Sequence, residues 1–189
     1  MKKTILISLL AVGGLLAGCN SDDSIRQAKE QSVQQFEAAG ISNMENDALF
    51  AAEAGSANLL QIKLGQEALE KSVSPEVKEL AEKLANDHRQ MQDDLETLAS
   101  QTKLVLPDKL GAAHKEVYDN ITGKSGIAFD LAYIKAMEDQ HDNLVKRYED
   151  IAENGISMEV KQYASKQLPL LRLHLQKATQ LEDVVNDAR

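Results

Sequence analysis

The strongest constraint on this chain is an apolar stripe with helical spacing that has a histidine at its centre. Between residues 77 and 98, apolar side chains recur at steps of three and four positions, the spacing of residues stacked on one face of an α-helix. The stripe consists of Val77, Leu80, Leu84, His88, Met91, Leu95 and Leu98. Because its neighbours on the stripe are apolar, His88 is predicted to face the interior of a helical protein.

Two later segments repeat this arrangement. One stripe contains Ile134, Met137, His141, Leu144, Tyr148 and Ile151, and the other contains Leu171, His174, Ala178, Leu181 and Val185. The sequence therefore predicts three inward-facing histidines on three separate helices, and these are its main functional indication.

Breaks in the helical pattern divide the chain into four long helices and one shorter helix. The predicted bounds are 47–71, 75–101, 108–121, 127–153 and 157–185. Ser74 before Pro75 is a good helix start, and Pro169 is predicted to kink the last helix just before His174. Short turns within each pair of long helices make antiparallel hairpins. The predicted fold class is all-α, a ferritin-like antiparallel four-helix bundle with a short crossover helix between two hairpins, and no internal repeat is predicted beyond that.

The first 18 residues are typical of a bacterial export signal. Lys2 and Lys3 precede an apolar run that is shorter than the roughly 20 residues needed to span a bilayer. The run ends in Leu-Ala-Gly followed by Cys19, which resembles the cleavage and lipidation signal of bacterial lipoproteins. Residues 1–18 are therefore predicted to be removed, and Cys19 is predicted to be acylated and to anchor the protein to a membrane.

The segment after the signal is predicted to be a spacer. Residues 19–46 form a lipidated polar tether of partly helical character, and residues 47–187 form the bundle domain. Asn20 stands where lipoprotein sorting reads aspartate as a mark for the inner membrane, so resemblance to that signal favours the outer membrane, facing the periplasm, in a Gram-negative cell. The expected partner is the membrane itself, through the lipid on Cys19.

The charge of the chain argues against a nucleic acid partner. The sequence has 30 acidic and 21 basic residues, a formal net charge of −9. A surface this acidic repels phosphate backbones, so no nucleic acid partner is expected.

Cys19 is the only cysteine, so after acylation no thiolate remains to bind metal. There is no glycine-rich phosphate loop and no serine nucleophile motif, and no catalytic residue or enzymatic activity is predicted.

Inward-facing histidines are candidate metal ligands. A metal ion would satisfy one ring nitrogen of each histidine while a carboxylate or carbonyl held the other. We predict a site for one zinc, copper or iron ion at His88, His141 and His174, with Glu138 or Gln61 assisting. The alternative is a purely structural or partner-binding bundle, in which the histidines form hydrogen bonds with core side chains.

A di-iron redox enzyme is a further alternative, and the sequence disfavours it. Ferritin-like di-iron centres take a Glu-x-x-His pair from each of two helices. Glu138 stands three residues before His141, whereas Ala85 and Leu171 hold the matching places before the other two histidines.

Other residues near the histidines are assigned structural roles. Asp87 lies one residue from a stripe histidine, so it is predicted to point sideways, towards a basic side chain or a helix interface. Met91 and Met137 lie on the stripes and are predicted to fill the core.

Several parts of the sequence together resemble a bacterial envelope family filed as domain of unknown function 4142. The matching parts are Leu64-Gly65, Asp87-His88, His114, Phe129-Asp130, Tyr133, Met137, His141, Leu168-Pro169 and His174. The resemblance covers about residues 47–182 and implies a ferritin-like fold and an envelope location, without an established activity. Acidic residues are usual in the family where this sequence has Gln61, Gln140 and Leu173, so three potential anions are missing from a metal site.

Overall fold

The computed structural model describes residues 23–187, which form six α-helices and their connections. The helices are α1 (Ser24–Ala38), α2 (Glu45–Lys71), α3 (Pro75–Gln101), α4 (Ala112–Thr122), α5 (Gly126–Asn154) and α6 (Met158–Asp187). No strand occurs in this range, so the predicted all-α class is confirmed. Within the same range, no helix is long and apolar enough to cross a membrane. The predicted signal segment and Cys19 lie outside the described residues.

The four long helices pack as antiparallel neighbours. α2 packs against α3 and α5 against α6, and contacts between α3 and α6 and between α2 and α5 join the two pairs. α2 and α3 approach closely, because a Cβ atom on Gly65 would lie 2.6 Å from the Cβ of Ala85. Arg147 on α5 donates a hydrogen bond to Glu53 on α2 over 2.7 Å. These contacts fix how far each helix is shifted along its axis relative to its neighbours.

Each hairpin turn is held by a buried aspartate from the other hairpin. Asp130, near the start of α5, accepts hydrogen bonds of 3.3 and 3.0 Å from the two backbone amides of residues 73–74. Asp47, near the start of α2, accepts hydrogen bonds from the two backbone amides of residues 156–157. Charge-assisted bonds to a buried carboxylate are stronger than neutral ones, so these two contacts lock the hairpins together.

The hairpins share a short sequence repeat that was not predicted from the sequence. The pattern Ser-x-Glu-Val-Lys occupies residues 74–78 and again residues 157–161. At both places the serine accepts a hydrogen bond from the amide three residues later and donates one to the glutamate two residues later. The residues are Ser74, Glu76 and Val77 in the first hairpin and Ser157, Glu159 and Val160 in the second. The second long helix of each hairpin therefore starts in the same way.

A polar layer divides the core of the long helices into two apolar parts. One part contains Phe50, Ala54, Met91, Leu95, Tyr148, Ile151 and Leu171 among others. The other contains Leu60, Leu64, Leu84, Tyr133, Met137 and Ala178 among others. The buried polar residues between them include Asn58 and Gln61 on α2, His88 on α3, His141 on α5 and His174 on α6.

The first helix belongs to the packed domain and is not a free spacer. Its partly helical character was predicted, but α1 packs against α2 and buries Ala28, Ser32 and Phe36. Ser32 also accepts a hydrogen bond of 2.8 Å from the backbone amide of Val105. The prediction that residues 19–46 form a tether is therefore wrong from Ser24 onward, because few apolar residues are enough to bury one face of a helix that covers another helix.

Candidate metal centre

Three histidines meet in the polar layer. His88, His141 and His174 each have no exposed surface, and one ring nitrogen of each lies within 4.8 Å of the other two. The centroids of the three rings are 5.2 to 5.4 Å apart. The sequence predicted that each histidine faces inward, and the structure brings all three together at one level of the core.

The orientation of the His88 ring is fixed by a chain of hydrogen bonds that ends at a carboxylate. Glu96 accepts from the Gln92 amide nitrogen over 2.9 Å, and the Gln92 oxygen accepts from the Asn58 amide nitrogen over 3.3 Å. The Asn58 oxygen then lies 2.8 Å from His88 Nδ1. A carboxylate oxygen can only accept, so Gln92 donates through its nitrogen and accepts through its oxygen, and Asn58 does the same. The oxygen of Asn58 is therefore an acceptor, and His88 Nδ1 carries the hydrogen that is donated to it.

The His141 ring is oriented by its own helix. Its Nδ1 lies 2.7 Å from the backbone oxygen of Met137 and donates to it. A neutral imidazole has a single N–H group, so the Nε2 atoms of both His141 and His88 carry lone pairs. These two Nε2 atoms are 3.2 Å apart, and no hydrogen lies between them when both rings are neutral.

The third ring also presents a lone pair. His174 Nε2 donates over 2.8 Å to Asp87, whose carboxylate also pairs with Lys83. The Nδ1 atom of His174 is buried and has no hydrogen-bond partner. Each histidine therefore uses one nitrogen to bond an oxygen atom and keeps the other as a free electron-pair donor, the arrangement that second-shell partners impose on metal-ligating histidines.

The surroundings keep the three rings neutral. Burial lowers the pKa of His88 well below its usual value, and repulsion from His141 and His174 lowers it further. Burial also lowers the pKa of His141, to about 4, despite its bond to the Met137 oxygen. The pKa of His174 is lowered by burial too, against the opposing effect of Asp87. At neutral pH no proton occupies the space between the rings, so a metal ion is the cation that suits it.

The spacing of the rings agrees with metal coordination. Tetrahedral ligands at about 2.0 to 2.1 Å from a zinc ion have nitrogen atoms about 3.3 Å apart. The 3.2 Å between the Nε2 atoms of His88 and His141 matches this value. The separations that involve His174 are at most 4.8 Å, so at that upper bound the ring would have to move inward by about 1.5 Å to reach tetrahedral spacing.

The structure corrects the assignment of Glu138. Its carboxylate pairs with Lys135 and accepts a hydrogen bond of 3.2 Å from Thr179, at the edge between α5 and α6. Glu138 is therefore not part of the histidine group.

The other predicted residues fall in separate places. Asp87 lies at the α3–α6 interface and pairs with Lys83, in line with the predicted contact to a basic side chain or a helix interface. It also accepts a hydrogen bond from His174, which the sequence did not predict. His114 is on α4, where its Nδ1 lies 2.6 Å from the hydroxyl of Ser56, away from the other histidines. Gln61 is fully buried in the core, with neither of its amide atoms hydrogen-bonded. Met91 and Met137 are buried in the apolar parts of the core, as predicted.

Asn58, which orients one of the three rings, was not predicted from the sequence. Asn58 lies among alanines and leucines on α2, and a polar residue on such a face is a signal in itself. A second signal is the repeat of the hairpins, because Asn58 and His141 are separated by the same number of residues as Ser74 and Ser157. Asn58 thus occupies on α2 the place that a histidine has on α5.

Comparisons with known proteins give a family and a fold. The sequence model of the family described as "Domain of unknown function (DUF4142)" matches residues 27–181. No curated protein matches the sequence. Among solved structures, the crystal structure of a DUF305 fragment from Deinococcus radiodurans is similar, with a TM-score of 0.64 and 12% sequence identity, and the match covers 73% of this chain and 95% of that one. At this identity the likeness shows the helical fold alone.

Proposed function

The chain belongs to the DUF4142 family, whose name assigns no activity, and we propose that it is a lipid-anchored envelope protein that binds one transition-metal ion. The ion lies between His88, His141 and His174 in the middle of the core. One observation carries this proposal: three buried imidazoles each bond an oxygen partner through one ring nitrogen, and one ring nitrogen of each lies within 4.8 Å of the other two.

The ligand set selects the class of ion. Imidazole nitrogen suits zinc, copper and iron, whereas calcium and magnesium prefer oxygen ligands. The group of histidines includes no thiolate and no carboxylate, and Asp87 acts through the ring of His174. Three neutral donors favour zinc or copper over a di-iron centre, which needs bridging carboxylates.

The burial of the site favours binding over catalysis. The three histidines have no exposed surface, and their partners Asn58 and Met137 are also buried. Because none of the three rings reaches the surface, a substrate could not contact an ion held between them unless the helices moved apart. We therefore propose a protein that holds or transfers a metal ion, with no enzymatic activity of its own.

The proposed architecture is a ferritin-like four-helix bundle. Two antiparallel hairpins, α2 with α3 and α5 with α6, support this assignment, as does the position of α4 in the connection between them. Ferritin-like proteins place metal ligands on facing helices in the bundle core, and the polar layer occupies that position.

Metal titration tests the proposed function. The full chain, purified without an affinity tag, is titrated with zinc and with copper, and one ion is expected to bind per chain. His141→Ala is expected to abolish binding, because it removes one of three donors. A wild-type chain that binds neither ion would leave the histidines as hydrogen-bonded core residues of a structural or partner-binding bundle.

Membrane attachment is expected to depend on Cys19 alone. The wild-type protein should remain in the membrane fraction after a high-salt wash and leave it in detergent, because acyl chains insert through apolar contact. Cys19→Ser should move the protein to the soluble fraction, as measured by fractionation and immunoblotting. Ser21→Ala, which keeps the cysteine, is the matched control, and a Cys19→Ser protein that stays equally bound to the membrane would contradict the anchor.

A further inference from the structure

Gln61 is a buried amide without any hydrogen-bond partner. Its side chain has no exposed surface, and both its nitrogen and its oxygen lack a partner. Among the described residues, it is the only side chain with two such atoms. Buried polar groups are nearly always paired, so an amide left unpaired on both sides indicates a partner outside the protein's own atoms, either water or an ion.

The position of Gln61 along the helices places it beside the histidines. It lies on α2 between Asn58, which bonds His88, and Gly65, which contacts Ala85. Gln61 therefore lies at the same height along the bundle as the turn of α3 just before His88. Side chains on a helix lean towards its N-terminus, which for α2 is the direction of Asn58 and the polar layer.

We propose that the amide oxygen of Gln61 is the fourth donor to the ion. This inference rests on the proposed function, which supplies three imidazole nitrogens and leaves one position of a tetrahedral ion open. The oxygen of Gln61 then has a cation to coordinate, which accounts for its lack of a partner within the protein, while the amide nitrogen needs a water molecule.

A fourth donor of this kind determines which ion binds. Three imidazoles and one amide are all neutral, so the ion keeps its whole charge in an apolar core. Such a set favours zinc and copper, whereas manganese prefers a carboxylate ligand. Gln61 is in this sense a specificity residue of the site, and Gln61→Glu is expected to bind manganese more tightly than the wild type does.

The test compares Gln61→Leu with Gln167→Leu in the full, untagged chain. Gln61→Leu keeps the volume and removes the unpaired amide, so its unfolding midpoint without metal should rise. Its zinc affinity, measured by competition with a chelator, should fall at least about tenfold. Gln167 is also a buried amide, but it donates to Asp94, so Gln167→Leu should lower the midpoint and leave zinc affinity unchanged.

The outcomes separate this inference from the proposed function. If the wild type binds zinc and Gln61→Leu binds it equally well, Gln61 is not a donor and the inference is wrong. If the wild type binds neither zinc nor copper, the proposed function fails, and the inference fails with it. Gln61→Glu gives an independent check: its midpoint without metal should fall, since it buries a carboxylate, and zinc should restore it. A Gln61→Glu protein that zinc does not stabilise would also overturn the inference.

Discussion

The metal-free protein is expected to lose stability as the pH falls from about 6.5 towards 4. The unfolded chain takes up protons on its histidines near their usual pKa of about 6.5. In the folded protein, burial holds the pKa of His141 at about 4 and that of His88 well below its usual value. Because the unfolded state binds more protons in this pH range, acid favours unfolding, and the contribution of His141 begins near pH 6.5 and is complete below about pH 4.

The expected loss is large for a domain of this size. One pKa unit corresponds to about 1.4 kcal/mol, so His141 alone lowers the free energy of unfolding by about 3 kcal/mol over this range. Urea unfolding at pH 7 and pH 5, with a chelator present, measures the effect while most carboxylates stay charged.

Removing one of the rings should flatten this pH profile. His141→Leu is expected to lose less stability between pH 7 and pH 5 than the wild type. His114→Leu removes a histidine outside the group and should keep most of the dependence. If His141→Leu and the wild type have the same pH profile, the rings do not carry this effect.

Added zinc is expected to raise the unfolding midpoint of the wild-type protein by about 10 °C. A ligand that binds only the folded state, at about a thousand times its dissociation constant, stabilises that state by about 4 kcal/mol. For a chain of this length, each kcal/mol shifts the midpoint by about 2 to 4 °C. Thermal unfolding followed by circular dichroism measures the shift, and copper should act in the same direction.

The shift should disappear when one ligand is removed. His88→Ala lowers the midpoint without metal, because it leaves a cavity and an unpaired Asn58 oxygen, so the relevant quantity is the change on adding zinc. That change is expected to be close to zero for His88→Ala. His114→Ala should respond as the wild type does, and an equal zinc shift in His88→Ala would show that the ion binds elsewhere.

The sequence predicted which way the histidines face but not where they meet. Helical spacing depends only on residue order, so the stripes placed His88, His141 and His174 on inner faces. Their common level depends on how far each helix slides along its neighbour. That is set by tertiary contacts such as the approach of Gly65 to Ala85, which leave no periodic pattern in the sequence.

The roles of Glu138 and Asn58 also depend on tertiary contacts that helical spacing does not reveal. Glu138 shares a helix with His141 at a spacing that suits a metal ligand, but Lys135 and Thr179 bind its carboxylate at the helix edge. Asn58 escaped notice because a single amide on α2 has no motif around it. Its role follows only from the chain of hydrogen bonds that links it to Glu96.

The first helix shows why the domain boundary was placed too late. Its apolar residues are sparse, and this pattern is typical of a spacer as well as of a helix that covers one face of a domain. Phe36 is almost fully buried, and Ser32 accepts a hydrogen bond from the backbone between α3 and α4. These tertiary contacts, and not the sequence pattern, place α1 in the packed domain.

X-ray absorption of the zinc-loaded, untagged full chain tests the central claim most directly. The spectrum reports the ligands around the ion and their distances. We expect scattering from three imidazole rings at about 2.0 to 2.1 Å, together with one further light-atom donor and no sulfur. A first shell made only of oxygen atoms, or one with fewer than three imidazoles, would contradict a site formed by His88, His141 and His174.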